Sequence, residues 1–250
     1  MHMPKIPLDP SKPTILICSD SHFLHTGLAR AIRSIFQPLK ATQKYNIVQQ
    51  GWFAADKGED GSWIELSTTC SKDGKNRLLD RDRFGQDSLP MMIANLKPRI
   101  VFAMHDPWNL GHLADMQDRS FKLVAYTCVD SEPMPERSRK IFEEADRLVL
   151  FGEWARSVVT RDPRFKVNPL RVRVIPHGVD TGAFHPIQDR GQVAELRREL
   201  CGVRPEDTLI GCVARNQWRK HVAQLAPLAW FLATGSYGKC GSCQRLTLDE

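Results

Sequence analysis

The chain has no stretch approaching the roughly 18 consecutive apolar residues that a membrane-spanning helix requires. Its first thirteen residues hold four prolines and no apolar run of signal-peptide length. A transmembrane segment and a secretory leader are therefore not expected, and the cytoplasm is the default compartment. The seven cysteines, Cys18, Cys70, Cys128, Cys201, Cys212, Cys240 and Cys243, are odd in number and irregular in spacing. That excludes a disulfide framework and fits a reducing compartment. Cys240 and Cys243 stand at metal-ligand spacing without the second pair a zinc site needs. No Gly-x-Gly-x-x-Gly follows the first apolar run and no acid closes the second, which excludes the dinucleotide fingerprint of a nicotinamide-dependent dehydrogenase. Neither a basic stripe nor interleaved aromatics are present, so nucleic acid is not an expected partner.

What the 250 residues do contain is ordinary for a globular protein, 42% apolar and 26% charged. Lys plus Arg number 35 against 29 Asp plus Glu, a formal charge of +6 spread along the chain. The excess suits an anionic small molecule or an acidic membrane surface met peripherally, and equally a slightly basic solvated surface. Cys18, Cys128 and Cys212 lie inside apolar runs, where a free cysteine behaves as a small buried hydrophobe.

Short β-rich runs alternate with helical segments. Strands are predicted at Thr14–Cys18, Tyr45–Val48, Trp63–Leu66, Arg99–Met104, Lys122–Thr127, Arg147–Phe151 and Val172–Ile175. Helices are predicted at Leu28–Leu39, with Pro38 ending the first, and at Leu89–Leu96, Leu110–Gln117, Glu136–Ala145 and Glu153–Arg161. The stretch Ser71–Arg83 is polar and reads as a surface loop. Repeated strand–helix–strand units imply a doubly wound, Rossmann-like parallel sheet in an α/β fold. A turn-rich break at Pro176–Pro186 puts a domain boundary at residue 180, giving domains 1–180 and 181–250. Beyond it come a helix at Val193–Leu200, a strand at Thr208–Ala214 and a helix at His221–Phe231 that Pro227 would kink.

Ligands in such sheets bind beyond the carboxyl ends of the strands, so the residues just after each strand matter most. Gly27, at the start of the first helix, either admits a phosphate close to the unpaired helix N–H groups or serves a tight strand-to-helix turn. His105 and Asp106 follow the strand ending at Met104; the imidazole suits an acid, a base or a polar anchor for a hydroxyl, and Asp106 suits its orientation. His105 and His112 are spaced to share a helix face, but no third metal ligand stands near them. Gly178 is expected to supply a special backbone angle and Asp180 a turn bond in the interdomain connection. Arg215 and Lys220, after the strand ending at Ala214, offer a planar fork and a point charge to a diphosphate, or form a basic loop in solvent.

Taken in order, these segments resemble the GT-B glycosyltransferases of glycosyltransferase family 4. Val174–Pro186 is similar to that family's interdomain signature, with His177 in the usual Asn position. Gly211–Lys220 resembles the Gly-x-x-x-Arg…Lys segment that opens the donor-binding domain. His105-Asp106-Pro107 resembles the His-acid-Pro after a mid-domain strand, and Glu153–Arg156 a Ser-Glu-Trp-type helix start. The resemblance implies a GT-B N-terminal domain followed by the first strand and helix of a second Rossmann-like domain, truncated before the acidic motif that grips the donor's ribose and sugar. It implies transfer of a sugar, with retention, from a nucleotide-sugar donor to a glycan, protein or lipid acceptor. Arg215, Lys220 and Gly27 would then bind the donor phosphates, His105 would sit near the reacting sugar, and neither a cofactor nor a metal would be needed. A catalytically inactive α/β module that acts by binding a partner or homologue is the alternative expectation.

Overall fold

The computed structural model describes residues 6–53, 63–68, 82–116, 119–204, 206–209, 211–214 and 220–234. The remainder of the Ser71–Arg83 loop, the Cys240/Cys243 pair, Arg215 and the last sixteen residues lie outside the described residues. The chain divides into two compact units, Met1–Asp180 and Thr181–Glu250.

In the first unit seven strands form one sheet: β1 (Thr14–Asp20), β2 (Asn46–Trp52), β3 (Ile64–Ser67), β4 (Ile100–Met104), β5 (Lys122–Thr127), β6 (Arg147–Leu150) and β7 (Val172–Val174). Every pairing is parallel and the order is β3-β2-β1-β4-β5-β6-β7. All seven residues of β1 are buried, as a central strand with both faces covered requires. Its alternate side chains feed two cores. Leu16 and Cys18 join Val48, Trp52, Val101, Leu123 and Leu148 on one side, while Ile15 and Ile17 join Ile47, Met104 and Tyr126 on the other.

The first core is covered by α2 (Leu89–Leu96), α3 (Gly111–Ala114), α4 (Arg139–Glu144) and α5 (Glu153–Arg161). On the second side α1 (Gly27–Ala41) inserts Ile32 and Phe36, four positions apart on one helix face. Contrary to expectation, α1 runs through Pro38 to Ala41. Proline there removes one bond in the last turns, and the end is closed locally: Thr42 donates through both its N–H and its hydroxyl to the Leu39 carbonyl, and the Gln43 N–H donates to that of Lys40. The helix expected over Leu110–Gln117 is instead a single turn, Pro107–Asn109, followed by α3. His105 therefore lies ahead of any helix, and the face predicted to carry both His105 and His112 does not exist. Likewise the Glu136–Ala145 helix is a tighter turn over Glu136–Ser138 leading into α4.

The second unit contains α6 (Arg190–Cys201) and α7 (Leu225–Thr234). The first exceeds its predicted span because both ends are capped. Asp189 Oδ1 accepts from the Gly191 and Gln192 N–H groups, and Gly202 closes the far end at φ 68°. Thr208, Leu209 and Gly211–Ala214 form no strand. A lone apolar run has no sheet to pair its backbone, and Cys212, expected to be buried in that run, is exposed. In α7, Pro227 falls in the first turn, where a helix N–H has no intrahelical acceptor to lose. Among the described residues no helix is long and apolar enough to cross a membrane.

Candidate functional site

The sheet order reverses between β1 and β4, so the crevice outside their carboxyl ends is the switch point of the fold. Two surface hollows lie elsewhere, at the amino ends of the strands; one is lined by Arg119, Lys122 and Asp146, the other by Lys97 and Arg99. Ligands of open α/β sheets bind at the opposite edge, which makes the His105 edge the candidate.

Two hydroxyls lace that edge together. Ser19 Oγ donates to the Met104 carbonyl at 2.7 Å and Thr127 Oγ1 to the His105 carbonyl at 2.6 Å, joining the ends of β1, β4 and β5. The His105 side chain is 11% exposed and its Nε2 lies 3.5 Å from Asp20 Oδ1. Its Nδ1 accepts the Asp106 N–H at 2.8 Å and stands 3.0 Å from Asn109 Nδ2. Aromatic rings wall it in: the centroids of Trp52 and Phe84 are each 5.5 Å away and that of Phe53 6.2 Å. His112, on α3, meets the same Trp52 ring, and burial lowers its pKa from the ordinary imidazole value.

Asp106 is 41% exposed at its side chain, with Oδ2 3.9 Å from His105 Nδ1. Its Oδ1 accepts from the Cys128 thiol at 3.3 Å. Burial first, and then the Asp106 charge, push the Cys128 thiol up to about 12. The thiolate is the reactive form. Iodoacetamide at pH 8 should therefore modify Cys128 more than about a hundredfold more slowly in the folded protein than in urea. Asp106→Asn should quicken the folded-state reaction, as followed by mass spectrometry of the Cys128 peptide; equal rates in folded and unfolded chain would refute the burial argument.

Gly27 is the first residue of α1, with Thr26 as the cap whose Oγ1 accepts the Ala29 N–H at 3.1 Å. Its φ is ordinary, and a Cβ built there would meet nothing within 4 Å. The chain's own packing does not demand glycine at this position, and the turn explanation fails. The space above the helix start is open.

Behind this edge lies a second polar cluster that the sequence pattern did not single out. His22 and Glu65 are buried, their side chains 0% and 3% exposed, with His22 Nδ1 2.6 Å from Glu65 Oε2 and the His22 N–H donating to the same oxygen at 3.1 Å. Glu65 reaches across Gly51, where any Cβ would overlap its side chain. Arg33 of α1 donates to the His22 and Leu24 carbonyls. Gln49 donates to the Asp20 carbonyl at 2.7 Å and accepts from Trp63 Nε1 at 2.8 Å. The only sequence signal was the polar run Ser19–His22 at a strand end; Glu65 carried none.

At the far end of the sheet His177 packs on Phe151 and Tyr126, with centroids 4.1 and 5.3 Å away, and burial lowers its pKa. Tyr126 donates to the Ile175 carbonyl at 2.8 Å. The special backbone angle expected at Gly178 is absent: its φ lies outside the left-handed region and a Cβ would meet nothing within 4 Å. The six residues that follow β7 form no turn, so no left-handed residue is required. Gly178 and Asp180 are both exposed. In the second unit Lys220 is exposed, while Arg215 lies outside the described residues. The structure thus brings His105, Asp106 and the Gly27 helix start to one edge. Among the described residues no group of three or more His, Cys, Asp or Glu side chains is arranged to hold a metal ion.

No family model and no curated protein matches the chain. Solved structures do. A sucrose-phosphate synthase from Thermosynechococcus elongatus superposes with a TM-score of 0.60 at 15% identity, over 88% of this chain and 60% of that one. A glycosyltransferase from Rickettsia africae ESF-5 superposes with a TM-score of 0.54 at 14% identity, over 88% of this chain and 57% of that one. The chain therefore spans about three-fifths of the length of the proteins it matches. At such identities the likeness is one of fold: the seven-stranded parallel sheet with its flanking helices is the Rossmann-like α/β fold that these glycosyltransferases share.

Proposed function

We propose that the chain is a GT-B glycosyltransferase of the family 4 type, transferring a sugar from a nucleotide-sugar donor with retention of configuration. The observation that carries the reading is the convergence of His105, Asp106 and the open Gly27 helix start on the switch-point edge of a sheet whose solved relatives in fold are glycosyltransferases. The helix start supplies unpaired N–H groups and the positive end of a dipole to the donor phosphates. Arg215 and Lys220 neutralise the departing diphosphate, on which negative charge grows during transfer, and such electrostatic stabilisation is usually the largest catalytic contribution. His105 and Asp106 meet the hydroxyls of the reacting sugar. In this reading the donor is the nucleotide-sugar itself, the acceptor is a glycan, protein or lipid, and cationic side chains with helix N–H groups do the work of a metal.

Titration calorimetry with UDP, GDP and ADP and their sugar conjugates tests the proposal. Saturable heat with one nucleotide is expected, weakened at least about tenfold by Arg215→Ala, because charge-assisted bonds to phosphate are among the strong ones. No heat with any of them, together with no transfer of labelled sugar, overturns it. A second reading, a non-enzymatic module that binds a partner or homologue, is favoured by the apolar side chains exposed on α7, Leu228, Trp230 and Leu232. A well-behaved monomer by light scattering that retains nucleotide binding decides against it.

A further inference from the structure

Asp20 belongs to none of the motifs above, yet its side chain reaches both the cap of the Gly27 helix start and His105. It ends β1, and its side chain is 7% exposed. One oxygen, Oδ2, accepts from the Thr26 hydroxyl at 2.7 Å, and that hydroxyl in turn accepts the Ala29 N–H at 3.1 Å as the cap of α1. The other oxygen, Oδ1, is buried, has no hydrogen-bond partner, and lies 3.5 Å from His105 Nε2.

The protonation pattern of His105 follows from its neighbours. A backbone N–H only donates, and that of Asp106 points at Nδ1 from 2.8 Å. Nδ1 is therefore the acceptor, and the proton of the neutral ring sits on Nε2. The Nε2–H is left to face the unpaired Oδ1. At 3.5 Å the pair is longer than a formed hydrogen bond, and contacts of this kind tighten when a ligand closes on the site.

We infer that Asp20 is the positioning residue of this edge, holding the Gly27 helix start through Thr26 with one oxygen and the Nε2–H edge of His105 with the other. The inference rests on the sugar-transfer reading for what His105 is positioned against. On that footing the helix N-terminus that meets the donor phosphates and the imidazole beside the reacting sugar are set by one carboxylate. A shift in either is felt by the other. His105, with Nδ1 taken by the Asp106 N–H and its one proton turned to Asp20, has no free lone pair with which to act as a general base.

Long-range proton–nitrogen NMR on the full chain labelled with ¹⁵N-histidine tests this, with His105→Gln assigning the signal. In the parent protein Nδ1 of His105 should be the unprotonated nitrogen, and the proton on Nε2 should exchange slowly with solvent. Asp20→Ala should speed that exchange at least tenfold, whereas Thr26→Ala, which leaves Oδ1 in place, should not. Should Asp20→Ala fail to give a dispersed spectrum, the isosteric Asp20→Asn takes its place, with at least a threefold acceleration expected. A proton found on Nδ1, or exchange unchanged in the Asp20 variants, overturns the inference whatever the chain catalyses. Where transfer is measured, Asp20→Asn should lower kcat tenfold or more and leave KM for the donor within twofold; an unaltered kcat also overturns it. The expected NMR signature in a chain that transfers no sugar leaves Asp20 as the partner of His105 and removes the sugar-transfer reading alone.

Discussion

Trp52→Ala is expected to lower the stability of the protein by about 3–5 kcal/mol, the usual cost of truncating a buried aromatic to alanine. Trp52 is the last residue of β2 and is fully buried. Its ring stands edge-on to Phe84 at 5.6 Å and lies against both His105 and His112. Its indole N–H donates to Gln50 Oε1 at 3.1 Å. Alanine removes the apolar area, opens a cavity, and strips a buried carboxamide oxygen of a donor, and these losses all act in the same direction. Against a typical total of about 5–15 kcal/mol, that is a large share. Urea unfolding should show a lower midpoint with an unchanged slope. Trp52→Phe, which keeps most of the ring and loses the N–H, should fall between the two. A loss below about 1 kcal/mol for the alanine variant would mean that the wall of the His105 edge is not part of the core.

The strands of the first unit were legible because a parallel sheet buried on both faces leaves near-continuous apolar runs, and Thr14–Cys18 is such a run. What was not legible was its continuation through Ser19 and Asp20. Those polar residues stay in the strand because Met104, eighty-five positions away, accepts from one, while Thr26 and Gln49 bond the other. Met104 and Gln49 are too distant along the chain to leave a local trace. The same holds for Glu65, whose meaning depends on His22 forty-three positions earlier and on the missing side chain at Gly51. The position of His105 and Asp106 just past β4 was legible because it needs only the end of a strand, a local feature. Thr208–Ala214 misled for the converse reason. Its composition suits a strand, but a strand is defined by neighbours, and none pairs with the described residues of that run. At the helix ends, Asp189 and Gly202 were readable cap signals whose use would have set α6 correctly.

The two glycines at the candidate edge should respond to alanine with opposite sign. Gly85 has φ +70°, and a Cβ there would overlap the carboxamide of Gln50. That carboxamide has nowhere to go: its nitrogen donates to the Gly85 carbonyl at 2.9 Å and to Ser88 Oγ at 3.0 Å, and its oxygen holds Trp52. Left-handed strain of about 1–2 kcal/mol adds to the loss of at least one buried hydrogen bond, so Gly85→Ala should cost about 2–4 kcal/mol in urea unfolding. Gly27 has an ordinary φ at the first position of a helix and open space where a Cβ would stand. Gly27→Ala should leave stability unchanged or raise it by up to about 1 kcal/mol, since alanine loses less chain entropy on folding. If a diphosphate docks on that helix start, the same methyl group occupies its approach, and nucleotide affinity in calorimetry should drop about tenfold or more. A Gly27→Ala protein that gains stability and loses the nucleotide would show that the glycine serves a ligand and not the fold. One that keeps full affinity would take the phosphates away from α1.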